Sequence, residues 1–451
     1  METRNFDLIV IGTGASSSTA AGKCAAAGWK VAQIDELPFG GTCALRGCDP
    51  KKVLVGAADL MDWNRRMQGS GVQSNASIDW QELMQFKRGF IDSVPEYREQ
   101  GMKDAGITPF HGHARFIDEE TIRINDQEIT GKKFLIAAGA KPAQLPIEGF
   151  EHLKTSTDFL ELDTLPEKIV FVGGGYISFE FAFVAALAGT KVHIIHRGEH
   201  PLKGFDPDLV DLLMQKAEEL GIEIHLNAEV KKISQNGNGY EVQSSRNDEQ
   251  ISITGDLVVH GAGRVPNIDG LDLANGGVER SKPGIVVNEY LQSRSNPRVY
   301  SAGDAAATDG KPLTPVAGYE SRIVTNNILE GNHNKANYPS QPTVVFTIPP
   351  LASVGLSEAE AKSEGIEVDV HQGQMDSWYT YRRINESYAA YKTIFNKENG
   401  KLLGAHLLGT KSEEIINLYA MAINQGLTAS DLKEMIYSYP THSSDIKYMV
   451  S

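Results

Sequence analysis

Apolar and polar positions follow the same course twice along this chain. Residues 8–11, "LIVI", come directly after the charged opening "METRNFD" as a short continuous apolar run, the pattern of a strand buried on both faces. A glycine turn, "GTGASS", follows, and then a small-residue helical stretch, "STAAGKCAAAG". The same order returns where "IVFVGGGYIS", residues 169–178, leads into "FEFAFVAALAG". The two copies superpose with Gly12 on Gly173, Gly14 on Gly175 and Ser17 on Ser178, which makes them an internal repeat of one strand–turn–helix unit. Another helical pattern starts behind Pro50 with "KKVLVGAADLMDWN", and near the end "SEEIINLYAMAINQG" and "ASDLKEMIY" pattern as amphipathic helices.

In this context a G-x-G-x-x-G turn brings a pyrophosphate to a helix N-terminus. Serine stands at the third glycine position in both copies, so a slightly wider helix–strand contact is expected, with function kept. The end of each second strand separates the two sites. In "KVAQIDE" Asp35 lies 23 residues after Gly12, where a carboxylate can accept both hydroxyls of an adenosine ribose. In "KVHIIHRGEHPLK" His196 holds that position, followed by Arg197 and then Lys203. Cations there suit a 2′-phosphate and leave NAD without its acidic partner. Two different dinucleotides are therefore expected, the second being NADPH.

Composition narrows the class. A chain of 451 residues exceeds one ordinary core, and about 100–200 residues per domain suggests several units. The net charge of −15 and the lack of a Lys/Arg run exclude a nucleic-acid footprint. No stretch of 18 apolar residues predicts a membrane span, and no signal-peptide pattern precedes the first strand, so a cytoplasmic enzyme is expected. Three cysteines cannot build a secreted disulfide framework. Two of them, Cys43 and Cys48, stand close together in "GGTCALRGCDPKK", as a redox pair, a metal site or two neighbouring thiols.

From end to end the chain resembles the FAD-dependent pyridine nucleotide–disulfide oxidoreductases, the family of glutathione reductase, dihydrolipoamide dehydrogenase and mercuric reductase. "GGTCALRGCDPKK" resembles the redox-disulfide motif, "FLIAAGAKP" the ATG-type turn, "GGGYISFE" the NAD(P) turn and "GAGRVPN" the GRxPN element. "VYSAGDAAA" resembles the second FAD motif, "LTPVAGYESR" the segment beside the flavin ring, and "PTVVFTIPPLASVGLSEAEA" the opening of a dimerisation domain. The resemblance implies an α/β fold of two Rossmann-like dinucleotide-binding domains and a C-terminal α+β dimerisation domain. FAD would be bound by 1–148 and 268–335 and NADPH by 149–267, with 336–451 joining two chains of a homodimer.

Site roles follow from the same resemblance. Cys48 is the charge-transfer thiol and Cys43 the interchange thiol, with no metal site expected, since a zinc site would need two more ligands and none lies nearby in the sequence. Asp49 reads as an N-cap and Pro50 as the first helical residue, which sets Cys48 just outside a helix whose dipole favours a thiolate. Lys52, rather than Lys51, pairs with Glu180, and Tyr176 gates the nicotinamide. Asp304 holds the ribityl chain, and Gly41, Thr42, Gly139, Gly263, Arg264, Gly303 and Thr314 complete the cofactor contacts. Cys24, in a small-residue helix, reads as a buried inert thiol.

The C-terminus departs from the family's H-P-T-x-S-E pattern. Here "SYPTHSSDIKYMVS" puts Tyr439 at the histidine and Ser444 at the glutamate. His442 with Asp445 would form a displaced His–carboxylate pair, Tyr439 would donate a proton itself, or the acceptor would need no protonated leaving thiol. The leading expectation is an NADPH-dependent reductase of a small-molecule or small-protein disulfide, like glutathione reductase. Reduction of metal ions or quinones, an NAD-dependent dihydrolipoamide dehydrogenase, and a non-catalytic flavin sensor are the alternatives. Arg46 and Asp49 are charged where relatives carry small apolar residues, which predicts an altered field at the disulfide.

Overall fold

The structure, a computed structural model, describes residues 4–73, 76–247 and 249–451. The chain gathers into two compact units: 1–51 with 86–143 and 264–338, and 52–85 with 144–263 and 339–451. This division follows other lines than the four segments read from the sequence: 52–85, read there as part of 1–148, belongs to the second unit.

The first unit is built on a seven-stranded sheet. The apolar run "LIVI" belongs to the strand Arg4–Ile11, which lies between Val31–Asp35 and Gln127–Ile136, parallel to both. Its last four residues are buried because layers cover both faces. Thr108–His111 extends the sheet beyond Val31–Asp35, and Val299–Ser301 pairs in parallel with Gln127–Ile136. The helix Ser18–Ala26 buries Ala20, Ala21 and Cys24, side chains small enough for close approach to Thr314–Glu330.

The second unit repeats the motif in a four-stranded parallel sheet, ordered Ile222–His225, Lys191–Ile195, Lys168–Val172, Leu257–His260. One face takes the helix Tyr176–Leu187, where nine consecutive residues, Ile177 to Ala185, are buried, so this helix is buried all round, Ser178 and Glu180 included, rather than amphipathic. A three-stranded antiparallel sheet, Glu229–Asn236, Gly239–Arg246 and Glu249–Gly255, shares a second apolar cluster with the parallel sheet. The C-terminal part is a five-stranded antiparallel sheet packed against Ser412–Gln425. The second C-terminal helix ends at Glu434, leaving Met435 to Tyr437 of the predicted pattern outside it. The fold is thus α/β, with two Rossmann-like sheets and an α+β C-terminal module. Among the described residues, no helix is long and apolar enough to cross a membrane.

Candidate active site

Cys43 lies in the short helix Gly41–Arg46, and Cys48 opens the helix Cys48–Arg66. The Lys51 amide donates to the Gly47 carbonyl at 3.1 Å, which closes the first turn two residues earlier than expected. Asp49 is therefore inside the first turn and is not the N-cap, because the kink between the two helices falls at Gly47. Cys48 Sγ lies 3.5 Å from Thr314 Oγ1, and Thr314 is the first residue of the 17-residue helix Thr314–Glu330. Two helix N-termini thus converge on one sulfur, each favouring negative charge.

The pair is electrostatically split. A hydrogen bond from Cys43 brings the Cys48 thiol down to about 6, helped by Thr314 and Lys51 against burial and Asp49. The same hydrogen bond, with burial, pushes the Cys43 thiol up. At neutral pH the arrangement is a Cys48 thiolate accepting from a Cys43 thiol. Asp49 acts on both sulfurs, as the altered-field expectation required, and Cys43 Sγ reaches Asp49 Oδ1 at 4.0 Å. Arg46 does not act there: its charge sits with Asp35 and Arg264. Cys24 is fully buried, and burial raises its thiol to about 11, as befits an inert core sulfur.

The first glycine turn is shaped for a pyrophosphate. Gly12 has φ +107°, and a Cβ there would stand 2.2 Å from the Ala137 carbonyl oxygen, so only glycine fits. A Cβ on Gly41 would lie 2.5 Å from Gly14 Cα, a close approach that ties the thiol segment to this turn. Ser17 is accommodated by bonding: its hydroxyl donates to the Gly14 carbonyl at 2.9 Å and accepts from Gln33 Nε2 at 3.3 Å. Asp35 Oδ2 already accepts from the Thr13 amide (3.0 Å) and hydroxyl (2.6 Å), and Oδ1 from the Leu37 amide (3.0 Å). That leaves one strong acceptor position, on Oδ1, where the sequence suggested room for both ribose hydroxyls.

Gly139, Arg264, Gly303 and Asp304 also belong to this unit. Arg264–Pro266 pairs antiparallel with Ala140–Pro142, Arg264 donates to the Ala140 carbonyl, and the Asn267 amide donates to the Gly139 carbonyl at 2.9 Å. Asp304 is half-buried, and desolvation raises its carboxyl against the pull of Arg264. Behind it stands a residue missed in the sequence. Glu320, 1% exposed, accepts from the Gly303 amide (2.6 Å), the Thr308 hydroxyl (2.8 Å) and the Tyr338 hydroxyl (2.5 Å). A carboxylate inside "LTPVAGYESR" was the only signal, and it carried no spacing rule. The Gly12 turn, the Gly41–Gly14 approach and the half-buried Asp304 carboxyl fit a bound FAD.

In the second glycine turn Gly173 has φ +108°, matching Gly12. Gly175 is the N-cap of Tyr176–Leu187, and Tyr176 is about half exposed. The wider contact expected at Ser178 is avoided because Gly261 faces it; a Cβ there would stand 1.9 Å from Ser178 Oγ. His196 is not a cation. Its Nδ1 accepts from the Gly174 amide at 3.1 Å and its Nε2–H donates to the His200 carbonyl at 3.1 Å, while burial lowers its basicity. It is a staple for the turn. Arg197 and Lys203 are exposed and make no ion pair among the described residues.

Lys52 and Glu180 meet around Phe346, which sequence reasoning did not single out. Lys52 Nζ lies 4.2 Å from the Phe346 ring centre, and the Phe346 amide donates to Glu180 Oε1 at 2.9 Å. At the C-terminus Tyr439 is 71% exposed, whereas His442 is 8% exposed. The expected His442–Asp445 pair is not formed. Asp445 accepts from the Thr380 hydroxyl, and His442 Nδ1 has no hydrogen-bond partner among the described residues. The imidazole packs edge-on to Tyr381, and burial, with Arg383 and Lys411, pushes it down to about 4. It is neutral where a proton donor was expected.

Residues 6–321 match the family described as pyridine nucleotide-disulphide oxidoreductase, and residues 341–450 match its dimerisation domain. Mercuric reductase of Staphylococcus aureus is 33% identical over 98% of this chain and 81% of its own length. Glutathione reductase of Nostoc sp. is 31% identical over 99% and 100%. The Cu(II) complex of the HOCl-induced flavoprotein disulfide reductase RclA from Escherichia coli is 28% identical, with a TM-score of 0.88 over 100% of this chain and 99% of that one.

Proposed function

The chain belongs to the pyridine nucleotide–disulphide oxidoreductase family, and from that premise we propose that it is an NADPH-dependent reductase of a small disulfide, acting through Cys43 and Cys48. The observation that carries the reading is the split pair beside Thr314: one sulfur stabilised as a thiolate, the other held as a thiol. Bound FAD would supply the two-electron carrier between the nicotinamide and these sulfurs. Cys43 gives its proton to the Cys48 thiolate and attacks one sulfur of the substrate, breaking the substrate's S–S bond and releasing one thiolate. Cys48 then passes that proton to the departing sulfur and attacks Cys43, releasing the second half as a thiol and closing the Cys43–Cys48 disulfide. Two electrons leave the pair and one S–S bond is reduced. Tyr439, exposed and beside the Thr441–Ser444 turn, is the better placed of the two candidate donors.

Arg197 and Lys203, exposed and unpaired, support a 2′-phosphate. The dimerisation domain supports a homodimer. A chain of three cysteines, two of them redox-active in this reading, supports a reducing compartment, and we assign it to the cytoplasm on that ground.

The neutral, unpaired His442 favours a second reading, an acceptor that needs no protonated leaving thiol, such as a metal ion. The mercuric reductase likeness and the Cu(II) complex of RclA point the same way. A panel of disulfides, metal ions and quinones, each with NADPH and NADH, separates the two. The first reading expects a preferred disulfide whose turnover is lost in Cys43→Ser. Turnover of a metal ion that survives Cys43→Ser, with every disulfide inert, overturns it. On the donor side, a charge-assisted phosphate contact is worth about 1.5–3 kcal/mol, so Arg197→Ala raises the NADPH KM by about ten- to a hundredfold and leaves NADH unmoved.

A further inference from the structure

On the second unit's parallel sheet three side chains converge. His193 lies on Lys191–Ile195, and Glu223 and His225 lie on the neighbouring strand Ile222–His225. The strands are parallel, with His193 paired to Glu223 and Ile195 to His225, so all three side chains stand on one face. Their ligand atoms form a small triangle: His193 Nδ1 to His225 Nε2 at 3.2 Å, His193 Nδ1 to Glu223 Oε2 at 3.4 Å, and His225 Nε2 to Glu223 Oε2 at 3.9 Å.

We propose that His193, Glu223 and His225 form a binding site for a divalent first-row transition ion, with Zn²⁺ as its defining probe. Zinc bonds of about 2.0–2.1 Å at tetrahedral angles set ligand atoms about 3.3 Å apart, close to two of the three observed edges. Two imidazoles and a carboxylate are the donor set such ions take, and the arrangement leaves a fourth position for water. The site is accessible from one side: the His193 and His225 side chains are 10% and 20% exposed and Glu223 is 66% exposed. Two cations act on these histidines, Lys168 from the neighbouring strand Lys168–Val172 and Arg246 from the end of Gly239–Arg246 in the antiparallel sheet. Lys168 is directed to Thr254 Oγ1 at 3.5 Å, and the Glu223 carboxylate offsets the remaining charge.

The ligands are 30 and 2 residues apart in the sequence, which matches no metal-site spacing, so the sequence predicted none. Their placement gives an ion a structural consequence. The His225 carbonyl accepts from the His196 amide at 2.8 Å, and the His196 ring holds the Gly174 amide. An ion joining the two strands fixes the strand ends that carry the second glycine turn.

The test is calorimetric titration of the air-oxidised flavin-loaded enzyme with Zn²⁺, with Glu223→Gln and His225→Gln beside the wild type. Glu223 is exposed, so its variant folds even if the histidine variant does not. The proposal expects one saturable Zn²⁺ per chain in the wild type, weakened at least about tenfold in each variant. It also expects a melting temperature raised by Zn²⁺ in the wild type alone, and an X-ray absorption shell of nitrogen and oxygen. Unchanged binding in both variants, no saturable binding, or a sulfur shell would overturn it. None of these readouts depends on the electron acceptor, so a wrong disulfide reading and a wrong metal site give different results.

Discussion

Cys48 holds its charge for local reasons. Thr314 donates to it, Cys43 donates to it, and two helices begin beside it. The NADPH-reduced enzyme should therefore react with iodoacetamide at Cys48 with a pH midpoint of about 6. The sign is that of a depressed acid: the thiolate persists in neutral solution and is lost as pH falls below about 6. Thr314→Val removes one donor and moves the midpoint upward, read by mass spectrometry of the labelled peptide; an unmoved midpoint would show that Thr314 donates nothing. The closeness of the two cysteines was legible from "GGTCALRGCDPKK", while their separate roles came only from the family resemblance. The donor was legible only as a cofactor contact, because a partner 266 residues away in the chain leaves no spacing signal. Arg46 misled for the same reason: it stands two positions before Cys48 in sequence, but its charge acts with Asp35.

Among the secondary-structure elements, the helix Cys48–Arg66 carries the thiolate at one end and a buried charge cluster at the other. Asp62, fully buried, accepts from Lys216 Nζ at 2.8 Å and Arg66 Nε at 2.7 Å, and Arg66 reaches Glu386 at 3.6 Å. Burial pulls Asp62 upward, but the two cations win and hold its carboxyl below the ordinary value. Asp62→Asn takes from Lys216 and Arg66 their closest buried counter-charge, leaving Glu219 at 3.3 Å and Glu386 at 3.6 Å as their remaining partners, and should cost about 3 kcal/mol, read as a lower urea midpoint for the second unit. Because the folded carboxyl is depressed, this stabilisation is present above about pH 4 and is lost as pH falls further. An unchanged midpoint would mean the cluster is solvated. In sequence this helix is a plain amphipathic pattern. The strand–turn–helix repeats were readable because glycine and apolar runs are local, whereas Asp62 and Lys216, 154 positions apart, meet only through packing.

For the molecule as a whole, the dimerisation domain and a fringe of exposed apolar side chains on the second unit belong to one account. Met421 is 64% exposed and Ile436 fully so, with Tyr439 in the same C-terminal segment. Met421→Glu with Ile436→Glu should convert a sedimenting dimer to monomer and depress disulfide turnover while flavin stays bound; an intact dimer would place the interface elsewhere. The overall architecture was legible because its motifs recur in order. The acceptor was not, since it depends on whether His442 is a proton donor, and burial beside Tyr381 decides that. The central claim is that electrons from NADPH come to rest on Cys43 and Cys48, with Cys48 left as a thiolate against the flavin. Anaerobic NADPH titration of the purified enzyme tests it most directly. The account predicts a long-wavelength thiolate–flavin absorption band in the wild type that Cys48→Ser abolishes, whereas a spectrum indifferent to that substitution would contradict it.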